Sequence, residues 1–84
     1  MAQTQSITLD KHGRFEFDVD VYAQVWKEHE SRSELHLRSI VAGYAYDSIR
    51  DVDQGLSRFE LIGMLAEFET NRLQAEQAAR WDNR

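Results

Sequence analysis

The residues of this chain whose types could hold a metal are three histidines, His12, His29 and His36. His29 and His36 stand seven apart, with Glu30 and Glu34 between them. On one continuous helix that spacing would set both imidazoles on the same face, beside two carboxylates. The pattern matches neither HExxH nor a Cys/His finger. It also straddles an expected helix break, and the chain has no cysteine to complete a thiolate site. The histidines therefore read as solvated polar residues, and neither a metal nor a cofactor is expected.

Catalytic patterns are equally sparse. The four glycines are isolated, so no loop of consecutive backbone amides could cradle a phosphate. No serine sits in a nucleophile elbow. Carboxylates are plentiful, but none lies in an apolar run that would raise its pKa for general-acid work. The expectation is a protein that is not an enzyme.

Two features suit binding instead. Glu16, Asp18 and Asp20 alternate with Phe15, Phe17, Val19 and Val21. In a strand such acids would line one face at intervals of about 7 Å. They would form a ridge able to dock a basic protein surface, or a solvated face that discourages edge-to-edge aggregation. Trp81 is the second candidate: an exposed tryptophan is a frequent binding anchor, and a packed one would fold back onto the hairpin or the first helix.

The elements that must position these residues follow from periodicity. Ile7–Leu9 and Arg14–Val19 alternate apolar and polar residues as two strands of a hairpin. Asp10-Lys11-His12-Gly13 supplies the turn, with Gly13 tolerating positive φ. A short helix follows, capped by Asp20 or Asp18, with Val21, Tyr22, Val25, Trp26 and His29 on one face. Glu28–Arg32 should bend. Ser31-Arg32-Ser33-Glu34 has the form of a capping box opening a middle helix that runs to Gln54, with Gly55 ending it at positive φ. Ser57-Arg58-Phe59-Glu60 is a second capping box. Two residues would then join two helices as an antiparallel hairpin. In the last helix Leu61, Ile62, Met64, Leu65 and Phe68 make a broad apolar face. Beyond it the helix should pack loosely or overhang the core.

The middle helix carries two apolar stripes. Leu37, Val41, Tyr44, Ala45, Ser48 and Val52 make one; Leu35, Ala42, Tyr46 and Ile49 make another, offset by roughly 100°. The first is matched by the last helix. The second reads as a dimer interface, with Ala42 allowing close approach of a second copy.

The 84 residues are enough for a single small domain, residues 1–84. The hydrophobic fraction of 42% and nine aromatics fit a folded core. No long apolar run spans a membrane, and Met1–Ser6 lacks the basic and apolar segments of a signal peptide, so a cytoplasmic location is expected. The formal charge is −5. Ten of the fifteen acids precede Gln54, against six bases. That balance opposes non-specific attraction to nucleic acid.

Ile7-Thr8-Leu9-Asp10-Lys11-His12-Gly13-Arg14-Phe15 resembles the opening hairpin of AbrB-type swapped-hairpin DNA-binding proteins, over about a tenth of the chain. Phe17 is followed by Asp18 where that family continues with an apolar residue and proline. Phe15–Tyr44 resembles a ribbon-helix-helix module: strand, short helix, Ser31-Arg32-Ser33-Glu34-Leu35, longer helix. The second resemblance implies a strand that pairs with a second copy and reads the major groove. Here that strand would present Glu16 and Asp18, which repel phosphates.

The sequence thus predicts an α+β domain: an N-terminal β-hairpin, a short helix, then a two-helix antiparallel hairpin. The expected function is a small acidic protein-binding factor, a homodimer, that inhibits or adapts a larger protein partner by occluding its surface. Compact acidic proteins without catalytic residues are common among phage and mobile-element accessory products, an analogy of type only. The alternative is a dimeric DNA-binding transcriptional regulator of ribbon-helix-helix type.

Overall fold

The computed structural model describes residues 3–82, with side chains through residue 78. The architecture is α+β, as the periodicity predicts: a two-stranded antiparallel sheet followed by three α-helices. Strands β1 (Thr4–Leu9) and β2 (Gly13–Asp18) pair with Leu9 opposite Gly13 and Thr4 opposite Asp18. Gly13 has φ +81°, the left-handed turn exit that a residue without Cβ adopts freely. Phe15 and Phe17 point into the core, while Glu16 between them is exposed.

Helix α1 (Val19–His29) starts where the second strand was expected to continue. Asp18 decides this. Its Oδ1 accepts from the backbone N–H groups of Asp20 (2.8 Å) and Val21 (3.4 Å), satisfying orphan donors of the first turn. At the other end the Arg58 guanidinium donates to the carbonyl oxygens of His29, Glu30 and Arg32, covering the helix terminus and the bend after it.

Helix α2 (Glu34–Ala45) is capped by Ser33, whose Oγ accepts from the His36 N–H at 3.1 Å. The capping serine is therefore two residues later than the expected Ser31. A larger correction lies at the other end: α2 stops at Ala45, not at Gln54. Tyr46 is extended (φ −129°, ψ 155°), Ser48 caps a single turn of 3-10 helix at Ile49–Asp51, and α3 (Arg58–Asp82) begins only at Arg58. Gly55 ends no helix and has no positive φ, since Gly13 alone has that conformation among the described residues. The box at Ser57 is as expected: the Ser57 N–H donates to Glu60 Oε1 (3.0 Å), and the Glu60 N–H donates to Ser57 Oγ (3.4 Å).

The long return between α2 and α3 replaces the expected two-residue link and changes how these helices run. Arg58, which opens α3, bonds Arg32 just before α2. Tyr44, near the end of α2, stacks on Phe68 at 5.5 Å. The two helices therefore point the same way, not antiparallel, and the connector travels back along them. It is tied down on the way by Arg38, whose guanidinium donates to the carbonyls of Gln54 (2.8 Å) and Leu56 (3.2 Å). α1 runs opposite to α3, with His29 beside Arg58 and Asp18 beside Thr70.

The core sits between the sheet and the helices, with Leu37, Val41, Val52, Leu61, Ile62 and Met64 fully buried. Gly63 lets α3 approach the sheet: a Cβ there would lie 2.6 Å from Ile7 Cδ1. From Asn71 to Ala78 every residue of α3 is exposed, so the helix overhangs the core as its composition predicts. The second stripe of the middle segment is not one outward face. Ala42 is buried inside the chain, and Tyr46 and Ile49 lie beyond the helix end, packed against the chain's own core. Leu35 alone stays open, 63% exposed. The stripe fails because its 3.6-residue period stops at Ala45.

Candidate functional site

The residues singled out by sequence are dispersed. Glu16 is exposed on β2 and paired with Arg14 at 2.7 Å. Asp18 is spent as the cap of α1, and Asp20 lies in that helix's first turn. They form no continuous strand ridge, because the strand ends at Asp18. The side chain of Trp81 lies outside the described residues.

Glu16 and Asp18 instead meet α3. Together with Glu67, Thr70, Asn71 and Gln74 they line a polar groove of about 260 Å³. Burial pushes the Glu67 carboxyl above the ordinary carboxylate range, and the nearby Glu16 charge adds to this against hydrogen bonding from the Glu16 backbone and Asn71. The Asp18 N–H donates to Thr70 Oγ1 (3.3 Å). The outer edge of β2 is thus covered by α3, while its inner edge is paired with β1. A ribbon-helix-helix dimer needs that strand free to pair with a second copy, so the resemblance does not extend to this arrangement.

The histidines are also apart. His12 accepts the Asp53 N–H at Nε2 (3.1 Å), and its Nδ1 lies 3.2 Å from the Tyr46 hydroxyl. An Nε2 that accepts leaves Nδ1 to carry the proton toward tyrosine. This imidazole fastens the hairpin turn to the connector. His29 is largely buried at the end of α1, and His36 is exposed on α2. No group of three or more potential metal ligands occurs among the described residues.

The feature that stands out is a row of aromatics gathered from three elements. Phe17 of β2 stacks on Tyr22 of α1 at 5.0 Å. Trp26, one turn further along α1, lies 6.3 Å from Tyr22 and stacks on Phe59 at 5.0 Å. Tyr22 also donates its hydroxyl to the Phe59 carbonyl at 3.4 Å, and burial raises the pKa of that phenol. Near-parallel aromatic rings at this spacing attract each other beyond their buried area. The row passes from a buried Phe17, 4% exposed, to a Phe59 that is 66% exposed.

Beside the row opens a mostly apolar cleft of about 220 Å³, lined by Gln5, Ile7, Phe17, Val19, Tyr22, Phe59 and Glu60. No other described residue fills it. No family model, curated protein or solved structure matches this chain. The cleft has walls of rings, with a carboxylate at Glu60 and a phenol at Tyr22. It is large enough to hold a side chain.

Sequence reasoning used Phe59 only as a member of a capping box. The missed signal is its position. Phe59 falls outside the apolar face set by Leu61, Ile62, Met64, Leu65 and Phe68, so a large ring at the start of α3 had no partner in its own helix.

Proposed function

We propose that this chain is a protein-binding factor, acting in the cytoplasm, that covers a surface of a larger partner and has no catalysis of its own. The observation that carries this reading is Phe59. It is two-thirds exposed, yet one side of its ring is stacked on Trp26. A ring that already packs against a neighbour in the free protein has less freedom to lose on binding than an unsupported one. The cleft in front of it can take a protruding side chain from the partner. Inhibition or adaptation would follow from coverage: a partner surface held against the aromatic row is closed to other ligands. Among the described residues no helix is long and apolar enough to cross a membrane, consistent with a factor that meets its partner in solution.

Loss of Phe59 should therefore weaken partner binding while sparing the fold. Truncating a central aromatic anchor costs on the order of 2 kcal/mol, about thirtyfold in affinity. Phe59→Ala and wild-type protein, matched by circular dichroism, are compared for quantitative capture of the same host proteins after cross-linking, and for affinity once one is purified. Equal capture and equal affinity by the two proteins would reject this surface as the binding site.

A further inference from the structure

We propose that the partner docks as an extended strand along the open edge of β1 and inserts one arginine or lysine side chain into the aromatic cleft; this rests on the protein-binding reading of the same surface. The sheet has two strands; among the described residues α3 meets the outer edge of β2, while Thr4, Ser6 and Thr8 of β1 are exposed. The backbone polarity of the β1 edge can be read from the ladder. Asp18 turns its N–H outward to Thr70, and Val19 donates to the Gln3 carbonyl at 2.8 Å. In an antiparallel pair these orientations alternate. The residues opposite the outward-facing positions of β2, namely Thr4, Ser6 and Thr8, therefore direct their own N–H and C=O groups away from β2.

Exposed edges of this kind are ordinarily defended by charge, proline or a bulge. β1 reads Thr-Gln-Ser-Ile-Thr-Leu, with none of these. Such an edge is a template for an added strand, whose main chain supplies affinity while alternate side chains supply specificity.

The cleft supplies the second half. Gln5 and Ile7, on the inner side of β1, form its roof. A strand added beside β1 would hold its own inward side chains over the same opening, where Phe59, 66% exposed and, among the described residues, stacked only on Trp26, presents ring surface, Phe17 and Tyr22 line the wall, and Glu60 adds a carboxylate. Rings attract a cation through their quadrupole while packing against its aliphatic stem. Glu60 and the chain's net charge of −5 favour the same sign. A second copy of this chain fits less well, because its β1 carries no basic residue to offer.

The test uses capped peptides alternating threonine and valine, with one central arginine, or with leucine or glutamate in its place. Binding is followed by amide exchange and by Trp26 fluorescence in a Trp81→Phe background. The arginine peptide should bind about tenfold tighter than the leucine peptide, and the glutamate peptide weakest. It should slow exchange at Ser6 and Thr8, leaving Gln5 and Ile7, which already face β2, unchanged. Glu60→Gln retains an acceptor for the Ser57 N–H, so it should keep the fold and remove the preference for arginine over leucine. Equal binding of the arginine and leucine peptides, no binding of the arginine peptide at millimolar concentration, or exchange at Ser6 and Thr8 unaltered on binding would overturn the proposal. Protection of Ser6 and Thr8 that rises with protein concentration alone would also overturn it, by assigning the edge to a second copy. If Phe59→Ala abolishes partner capture while these peptides fail, the binding surface stands and only the cationic strand is lost. If capture is also unaffected, both fall.

Discussion

His29 shows how a single half-buried side chain can make the fold sensitive to acid. Its side chain is 14% exposed, and its Nδ1 has no hydrogen-bond partner. Burial lowers its pKa below 6.5, the Arg32 and His36 charges act in the same direction, and Glu28 opposes them. The unfolded chain, with its imidazole near 6.5, thus binds more protons than the folded one between the lowered value and 6.5. Stability rises with pH across that window and is lost as pH falls through it. The urea midpoint of the wild type should therefore drop between pH 7.5 and 5.5, and His29→Gln should show a smaller drop. A variant with the full wild-type slope would assign the effect to other groups.

Element boundaries were legible where side chains cap the backbone locally and illegible where distant contacts decide. The hairpin was readable from Asp10 to Gly13, and the start of α3 from Ser57 and Glu60, because each signal lies within a few residues of the bond it makes. The end of α2 carries no proline and no glycine at its cap; Gly43 lies two residues inside it. Tyr46 leaves the helix where its hydroxyl meets His12, thirty-four residues away in sequence, and the Asp47-Ser48 pair then begins a new turn. That contact is invisible to periodicity, so the helical pattern runs on to Gln54 and lines up core residues of the chain as if they formed one outward stripe. The candidate cleft was hidden for the same reason: Phe17, Tyr22 and Phe59 belong to three elements. Two substitutions separate local from distant control. Ser57→Ala breaks the reciprocal box and should cost about 1 kcal/mol. Gly55→Ala should cost less, because Gly55 lacks the left-handed backbone that penalises a Cβ. Paired denaturation curves check the order, and a larger loss at Gly55 would contradict it.

At the scale of the molecule, α3 is the element on which the others depend. It contacts β1, β2, α1 and α2, and it contributes Leu61, Ile62, Met64, Leu65 and Ala66 to the buried core. The hairpin alone is a two-stranded sheet, which is marginal in water. Residues 1–57 without α3 should therefore lack cooperative unfolding, and a synthetic peptide of residues 58–82 added in trans should restore it at least in part. A sharp thermal transition in residues 1–57 alone would show that the core is less dependent on this helix. The order of synthesis gives the same feature a meaning for the cell. A ribosome releases the hairpin, α1 and α2 first, with Leu37, Val41 and Phe15 still uncovered, and only afterwards the helix that buries them. Translation that stops short of Phe68 leaves a product with an open core, which proteases and holdase chaperones recognise by its unburied apolar surface. Placing the organising helix after the parts it organises makes completion of α3 a condition for a chain to persist.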